Sequence, residues 1–525
     1  MGRMRETTST ISASVKPPGS PRTLIVYLGL ALVILGVVAL QSYHFSRLNY
    51  RDDEIRTVHA GMTLSVPEVI RWMSVDIHPP FWRILATTWV GAFGPDEAVT
   101  RFLSTLLTAV SLALLFRIVR DLFDAQVALI AVFLLGTHAL FLFYSHELRP
   151  YAALILWTNA LHLIYLRWLR RPSFRLALIY VLVGAAALYT HYFALYIFLA
   201  QLVALAVLVR WNLAFYARTL GMFALAALSF AAWLPSFLHS FLVTKSGGID
   251  YGIVLDARLP VTLYTLLQFR PLALGNFLQG AALVTALVTS WRPDEPAGQP
   301  FRFGLAWRVW YFVVIAVAVL GGAVVTNRWV DVLTQRNLLL IVPPLAVVAA
   351  VGVRLLPWQG RVLALALILL PALTEFVVYE EYEPYREVAA FVEPRYEARS
   401  PIILSVDNGT GAYFAFAYYL MDRLPGELTQ NEMMYLTLGE ARVNLPEPPL
   451  HIVREASPDA LAAFDALIAD AEQVFWITSD LEPPHAQAFR DRLEATFTRS
   501  DSVTLENRDT FDRVYRVDYY RRTNL

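Results

Sequence analysis

"TLIVYLGLALVILGVVALQSYHFSRLNYRDDEIR" (residues 23–56) sets two kinds of chemistry side by side. Residues 23–40 carry no charge and approach the ~20 apolar residues that cross a bilayer as a helix. The run exceeds the ~7–15 residues of a signal-peptide core, and no small-x-small cleavage site follows, so it reads as an uncleaved first span. Ahead of it, the Ser-, Thr- and Pro-rich residues 1–22 read as a disordered cytoplasmic tail. Behind it stand three consecutive acids, Asp52, Asp53 and Glu54, between Arg51 and Arg56. They are either a solvated turn that keeps a loop out of the lipid or part of a site beside the membrane.

The rest of the chain extends the membrane pattern. Of its 525 residues 57% are hydrophobic and 16% charged, with mean hydropathy +0.49, whereas soluble domains carry about 25% charged residues. Further apolar runs lie near 102–119, 126–143, 151–168, 176–190, 192–209, 219–236, 273–291, 308–326, 337–355 and 361–378. That makes about eleven transmembrane helices, and up to about thirteen, since "LPVTLYTLLQF" (259–269) either lies along the interface or dips into the bilayer. Basic and acidic residues balance to a net charge of zero, which gives nucleic acid no electrostatic hold. There is no cysteine, hence no disulfide, thiolate metal site or cysteine nucleophile. Lysine occurs only at Lys16 and Lys245; arginine supplies nearly all the positive charge.

Arginine-rich short loops, among them "RWLRRPSFR" (167–175), fall on the same side as the N-terminal tail. The positive-inside rule puts that side in the cytoplasm. A long first outer loop (about 44–101) and everything after about 379 then lie outside a plasma or inner membrane. Residues 23–378 form the transmembrane domain, and 379–525 a soluble extracytoplasmic α/β domain. In that domain "PIILSV" (401–406), "PLHIVRE" and "EQVFWIT" read as strands, and "SPDALAAFDALIADA", capped by Ser457, as a helix. A further helix follows "SDLEPPH".

Charge inside a bilayer costs roughly 2.5–3.5 kcal/mol per group even on lenient scales, yet one face collects many polar groups. They are Asp53 and Glu54, Asp76 and His78 in "VDIHPP", Glu147, Arg149 and Tyr151 in "YSHELRPY", His191 and Tyr192 in "YTHY", and Arg336 in "TQRN". Each has a plainer reading. The prolines fix a turn, the arginines snorkel to headgroups, and His191 packs as a hydrogen-bonded helix end. Their joint occurrence on one face favours a shared cavity.

The motifs resemble those of the dolichyl-phosphate-mannose–protein mannosyltransferase superfamily. The resemblance is carried by the acidic pair after the first span, "HPP", "FGPDEAVTR" (93–101), "YSHELRPY", "YTHYF", "WLP" (233–235) and "QRNLLLIVPP" (335–344). The superfamily comprises GT-C fold glycosyltransferases, the bacterial lipid A aminoarabinose transferases among them. Where protein mannosyltransferases often carry lysine after "HPP", this chain has Arg83 as the nearest base. The resemblance implies a polytopic α-helical membrane protein that moves a sugar from a polyprenyl-phosphate-linked donor to a hydroxyl acceptor. Asp53 would be the general base and Glu54 its support. Arg149, Tyr151, His191 and Arg336 would bind the donor phosphate, with Asp76, His78, Glu147 and Tyr192 supporting. Asp53, Glu54, Asp76 and His78 also offer ligands to a divalent cation, without a spacing that names one. A multi-pass transporter or flippase of a lipid-linked or anionic substrate is the alternative.

Overall fold

The computed structural model describes residues 21–246, most of 280–288, 301, and 306–378 apart from 330, 331 and 335. It further describes most of 384–405 and 415–420, then 450–452, 456–479, 486–506 and 514–523. Helix α1 (Pro21–His44) leaves Leu24, Ile25, Leu32 and Leu35 more than half exposed. Water would not tolerate so long an apolar stripe, and lipid does. Three short helices follow: α2 (Asp52–Thr63), α3 (Val66–Met73) and α4 (Pro80–Phe93). Next come α5 (Glu97–Leu122), α6 (Ala125–Gly136) and α7 (Ala139–His146), then α8 (Tyr151–Arg170), α9 (Phe174–Thr190) and α10 (Ala194–Leu208). The bundle continues with α11 (Leu213–Ser229), α12 (Leu234–Ser246) and α13 (Trp307–Thr326). A 3₁₀ turn (Asn337–Ile341), α14 (Val342–Leu355) and α15 (Trp358–Val378) complete it.

Every expected span coincides with a helix or helix pair except 273–291, most of which lies outside the described residues, as does 259–269. Among the described residues six helices are long and apolar enough to cross a membrane, or seven if α6 and α7, bent by 66°, make one span. The count of about eleven took in shorter apolar helices, among them α9 and α10, which break at His191. Helix α5 packs against α1, α6 and α8; α8 lies on α9, α10 on α13, and α14 on α6. Side-chain hydrogen bonds tie these helices where apolar driving force is weak. Asn159 Nδ2 donates to Ser111 Oγ (2.9 Å), Trp168 Nε1 to Thr219 Oγ1 (2.9 Å), and the Tyr180 hydroxyl to Gln201 Oε1 (2.6 Å).

After α16 (Tyr385–Val392) the chain builds a five-stranded sheet. Its elements are β1 (Ile402–Ser405), β2 (Leu450–Ile452), α17 (Pro458–Ile468), β3 (Gln473–Ser479), α18 (Ala486–Thr496), β4 (Phe497–Glu506) and β5 (Val514–Arg522). The strand order is β2-β1-β3-β5-β4, with β1 parallel to its neighbours and β5 antiparallel to both of its own. Ser457 Oγ caps α17 by accepting from the Ala460 N–H (3.2 Å). One sheet face, with Trp476 and Tyr520, packs under α17 and α18. The other, with Phe475, Tyr515, Val517 and Tyr519, shares a buried core with Tyr50, Ile55 and Val58 at α2, Trp82 of α4 and Leu148. The sheet therefore shares one buried core with the acidic helix, together with α16 and residues such as Phe416 and Tyr419. Strands β4 and β5 were not among the strands read from the sequence, because charged residues such as Arg499, Asp501 and Arg516 interrupt their apolar alternation.

Helix α2 is held against α4 at Gly61, where an added Cβ would run into the Val90 side chain. Gly61→Ala is expected to push the two helices apart at a cost of about 1–3 kcal/mol, the usual range for overpacking. Thermal unfolding in detergent measures it; an unchanged midpoint would mean that Val90 gives way freely.

Candidate active site

A buried ion pair anchors the loop from α1 to α2. Glu54 and Arg101 expose 1% and 2% of their side chains, and meet through Nε–Oε1 (3.0 Å) and Nη2–Oε2 (2.8 Å). Glu54 also accepts from the Leu148 N–H (2.9 Å) and from the Arg51 N–H (3.1 Å). The latter bond satisfies an orphan donor at the start of α2. Burial pushes the Glu54 carboxyl up, but Arg101 and these N–H donors prevail and hold it below the ordinary carboxylate range. Arg101 further donates to the carbonyls of Phe45 and Leu48 (both 2.7 Å) and Asn49 (3.0 Å).

Asp53, one residue earlier, faces another way. Its side chain is 45% exposed, and Oδ2 lies 3.0 Å from Arg149 Nη2 and 3.8 Å from Arg336 Nη1. Burial opposes its ionisation, but Arg149, Arg336, His78 and Arg56 outweigh it and keep the carboxyl well below the ordinary range. Arg149 itself is nearly buried, with its guanidinium 6.0 Å from the Tyr151 ring centre. The Tyr151 and His191 rings lie 6.2 Å apart, and those of His191 and His78 5.9 Å. His191 Nδ1 accepts the Phe193 N–H (3.2 Å), so the neutral ring carries its proton on Nε2 as a donor. His78 is oriented by Asp76, whose Oδ1 accepts its backbone N–H (2.9 Å) and lies 3.0 Å from Nδ1. The Ser240 hydroxyl of α12 donates to the Asp76 carbonyl (2.6 Å).

Asp53, Arg149, Arg336, Tyr151, His191, His78 and Asp76 thus form one connected constellation. Two other candidates point elsewhere: Glu54 is engaged by Arg101, and Glu147 Oε1 accepts from Arg51 Nη1 (3.1 Å). The Tyr192 hydroxyl accepts from Trp233 Nε1 (3.2 Å) and is also hydrogen-bonded to Ser240, which holds Asp76, so it borders the constellation. The four groups offered for a cation are accordingly divided, and among the described residues no three His, Asp or Glu side chains converge to hold a metal ion. The side chain of Asp52 lies outside the described residues.

Two further arginines hold the elements around the site. Arg101 falls in "FGPDEAVTR", where its spacing from Glu97 puts both on one face of α5. Arg83 donates to Thr57 Oγ1, and its guanidinium lies 4.8 Å from the Trp72 ring centre. Burial lowers the Arg83 pKa to about 10 against the attraction of Asp76 and Asp53. Its place after "HPP" is the signal that finds it.

This architecture is the GT-C fold of polytopic membrane glycosyltransferases. Residues 77–233 match the family model for dolichyl-phosphate-mannose-protein mannosyltransferase; Asp53 and Arg336 lie outside the matched stretch. The chain is similar to ArnT from Cupriavidus metallidurans in the apo state, at 14% identity and TM-score 0.56, covering 95% of this chain and 98% of that one. It is similar to the same protein bound to undecaprenyl phosphate at 13% identity and TM-score 0.55, with the same coverage. The Archaeoglobus fulgidus oligosaccharyltransferase complex with Zn and sulfate aligns at 11% identity and TM-score 0.51, covering 92% of this chain and 72% of that one. Identities this low carry the fold and not the reaction. No curated protein is a recognisable sequence relative of the chain.

Removing the Glu54 charge would leave Arg101 buried and uncompensated, so Glu54→Gln is expected to cost about 3–5 kcal/mol. An apolar replacement of both partners often restores stability elsewhere, but Glu54→Leu with Arg101→Met should not do so here. Three loop carbonyls would lose their donor. Unfolding of the single and double variants in detergent tests this, and recovery in the double variant would mean that the carbonyls find other partners.

Proposed function

We propose that the protein is a membrane glycosyltransferase that moves a sugar from a polyprenyl-phosphate donor to a hydroxyl acceptor on the outer face of the membrane. The observation that carries this reading is Asp53, a partly exposed carboxylate set between two arginines and near His78. The family match over 77–233 and the fold shared with ArnT, solved with undecaprenyl phosphate, support the donor class. Nucleotide sugars are cytoplasmic, so transfer on the outer face calls for a lipid-carried sugar.

In this mechanism the acceptor oxygen forms a bond to the anomeric carbon while its proton passes to Asp53. The bond between that carbon and the phosphate oxygen breaks, and its electron pair leaves with the phosphate. The leaving group departs as an anion and needs no acid, only the positive charge of Arg149 and Arg336 and hydrogen bonds from His191 and Tyr151. A single in-line displacement inverts the anomeric centre. A glycoside hydrolase would instead place two carboxylates about the bond, one of them protonated, and Glu54 is already spent on Arg101.

The arginines that bind the phosphate are the same ones that hold Asp53 acidic. In the empty site they make it a poor base; a bound phosphate competes for them and returns basicity to Asp53 when substrate is present. Asp53→Asn should lower kcat by roughly 10²–10⁴-fold, the span of general-base contributions, while purified protein in lipid still binds the donor. Unimpaired transfer by Asp53→Asn would refute the assignment. Donor translocated but never consumed would point to the flippase.

A pH dependence follows with a definite sign. kcat/KM reports the free enzyme and kcat the bound complex. Because the free Asp53 carboxyl lies below the ordinary ~3.9, the acidic limb of kcat/KM should fall at lower pH than that of kcat. Coincident limbs would mean that the phosphate does not draw the arginines away.

A further inference from the structure

Residues 45–51, between α1 and α2, form no helix or strand, yet Phe45, Leu48, Asn49 and Tyr50 are buried. Buried backbone groups left over by regular structure need other partners, and side chains supply several of them here. Arg101 serves the carbonyls of Phe45, Leu48 and Asn49. Two more groups are served from the C-terminal part of the chain. Arg386 Nη1 of α16 donates to the Ser46 carbonyl (2.8 Å), and the Tyr50 N–H donates to the Tyr419 hydroxyl (2.7 Å). That hydroxyl donates in turn to Glu97 Oε1 (2.8 Å), which also takes Arg386 Nη2. Glu97 stands one turn before Arg101 on α5. A single helix face thus grips the loop twice, directly through Arg101 and indirectly through Tyr419.

We propose that Tyr419, held by Glu97 and assisted by Arg386, is a positioning residue through which the C-terminal domain fixes the helix that carries Asp53. The inference rests on Asp53 acting as the base. Tyr50 precedes Arg51, whose N–H opens α2, so freedom at the Tyr50 amide passes into the first turn, where Asp53 lies. A catalytic group displaced by as little as ~1 Å loses up to about a hundredfold in rate, while donor binding through Arg149 and Arg336 is left in place.

Tyr418 supplies the control. Its hydroxyl donates to the Pro95 carbonyl (3.1 Å) and its ring packs edge-on against Tyr50, so it belongs to the same interface without touching the Tyr50 amide. Tyr419→Phe and Tyr418→Phe are compared in lipid nanodiscs for turnover of a polyprenyl-phosphate sugar and for hydrogen exchange over residues 45–56. Tyr419→Phe should lower kcat about tenfold or more with the donor KM nearly unchanged, and speed exchange in that segment. Tyr418→Phe should do neither. Glu97→Gln, which keeps an acceptor for Tyr419, should retain more kcat than Glu97→Ala. Arg386→Met should also speed exchange in 45–50, which covers the case of a Tyr419 variant that does not fold.

Equal losses of kcat in the two tyrosine variants, or a lowered unfolding midpoint with kcat and exchange unchanged, would make Tyr419 a docking contact and overturn the proposal. Should the unsubstituted protein consume no donor, the reading of Asp53 as base fails. Exchange over 45–56 then decides the positioning on its own: faster in Tyr419→Phe alone supports it, and equal in both variants sinks it.

Discussion

A guanidinium has five N–H donors, and Arg101 makes five hydrogen bonds. Two close on the Glu54 carboxylate and three on carbonyls of the loop that leads from the first membrane helix into α2. An ammonium in its place would bring three donors and no fork. The near-absence of lysine from the chain says little by itself, but at this position arginine is a requirement. The pair costs desolvation at both ends, and its return is conformational. It turns a segment with no regular structure into one with a single path.

That fixed path explains how adjacent acids come to differ. Successive helical residues point about 100° apart, so once Glu54 is turned inward, Asp53 must face away from the Arg101 side. There it meets Arg149 and Arg336, which come from segments far apart in the chain. Two cations around one carboxylate leave an excess of positive charge, the complement of a phosphate. The Glu54 pair is spent on structure, whereas on the proposed function the Asp53 cluster keeps charge available to a ligand.

Much of this was legible in the sequence. Apolar runs located the helices, and the joint occurrence of Asp53, Arg149, His191 and Arg336 near span ends pointed to one cluster. The turn of Glu147 was not legible, because a motif shows that residues are neighbours in the chain and not which way each side chain turns. Glu147 faces Arg51, while Arg149 from the same motif faces the cluster. The grip of the C-terminal domain on the loop was equally hidden. Tyr50, Glu97, Arg386 and Tyr419 are scattered over most of the chain, and no local pattern links them.

The shortness of several helices and the position of the site have one cause. Irregular backbone is tolerated at membrane depth only where protein or a polar cavity satisfies it. Arg149 follows the bent α6–α7 pair, His191 stands at the break between α9 and α10, and Arg336 precedes a 3₁₀ turn. Each break frees backbone groups and projects a polar side chain where a continuous helix would have carried an apolar one into the bundle. The breaks converge beside α2, so each protects the others' exposed polarity, and α2 with its buried pair closes the group. A chain of uninterrupted spans would be simpler to insert, but it would offer no common break at which Asp53, His191 and two arginines could meet.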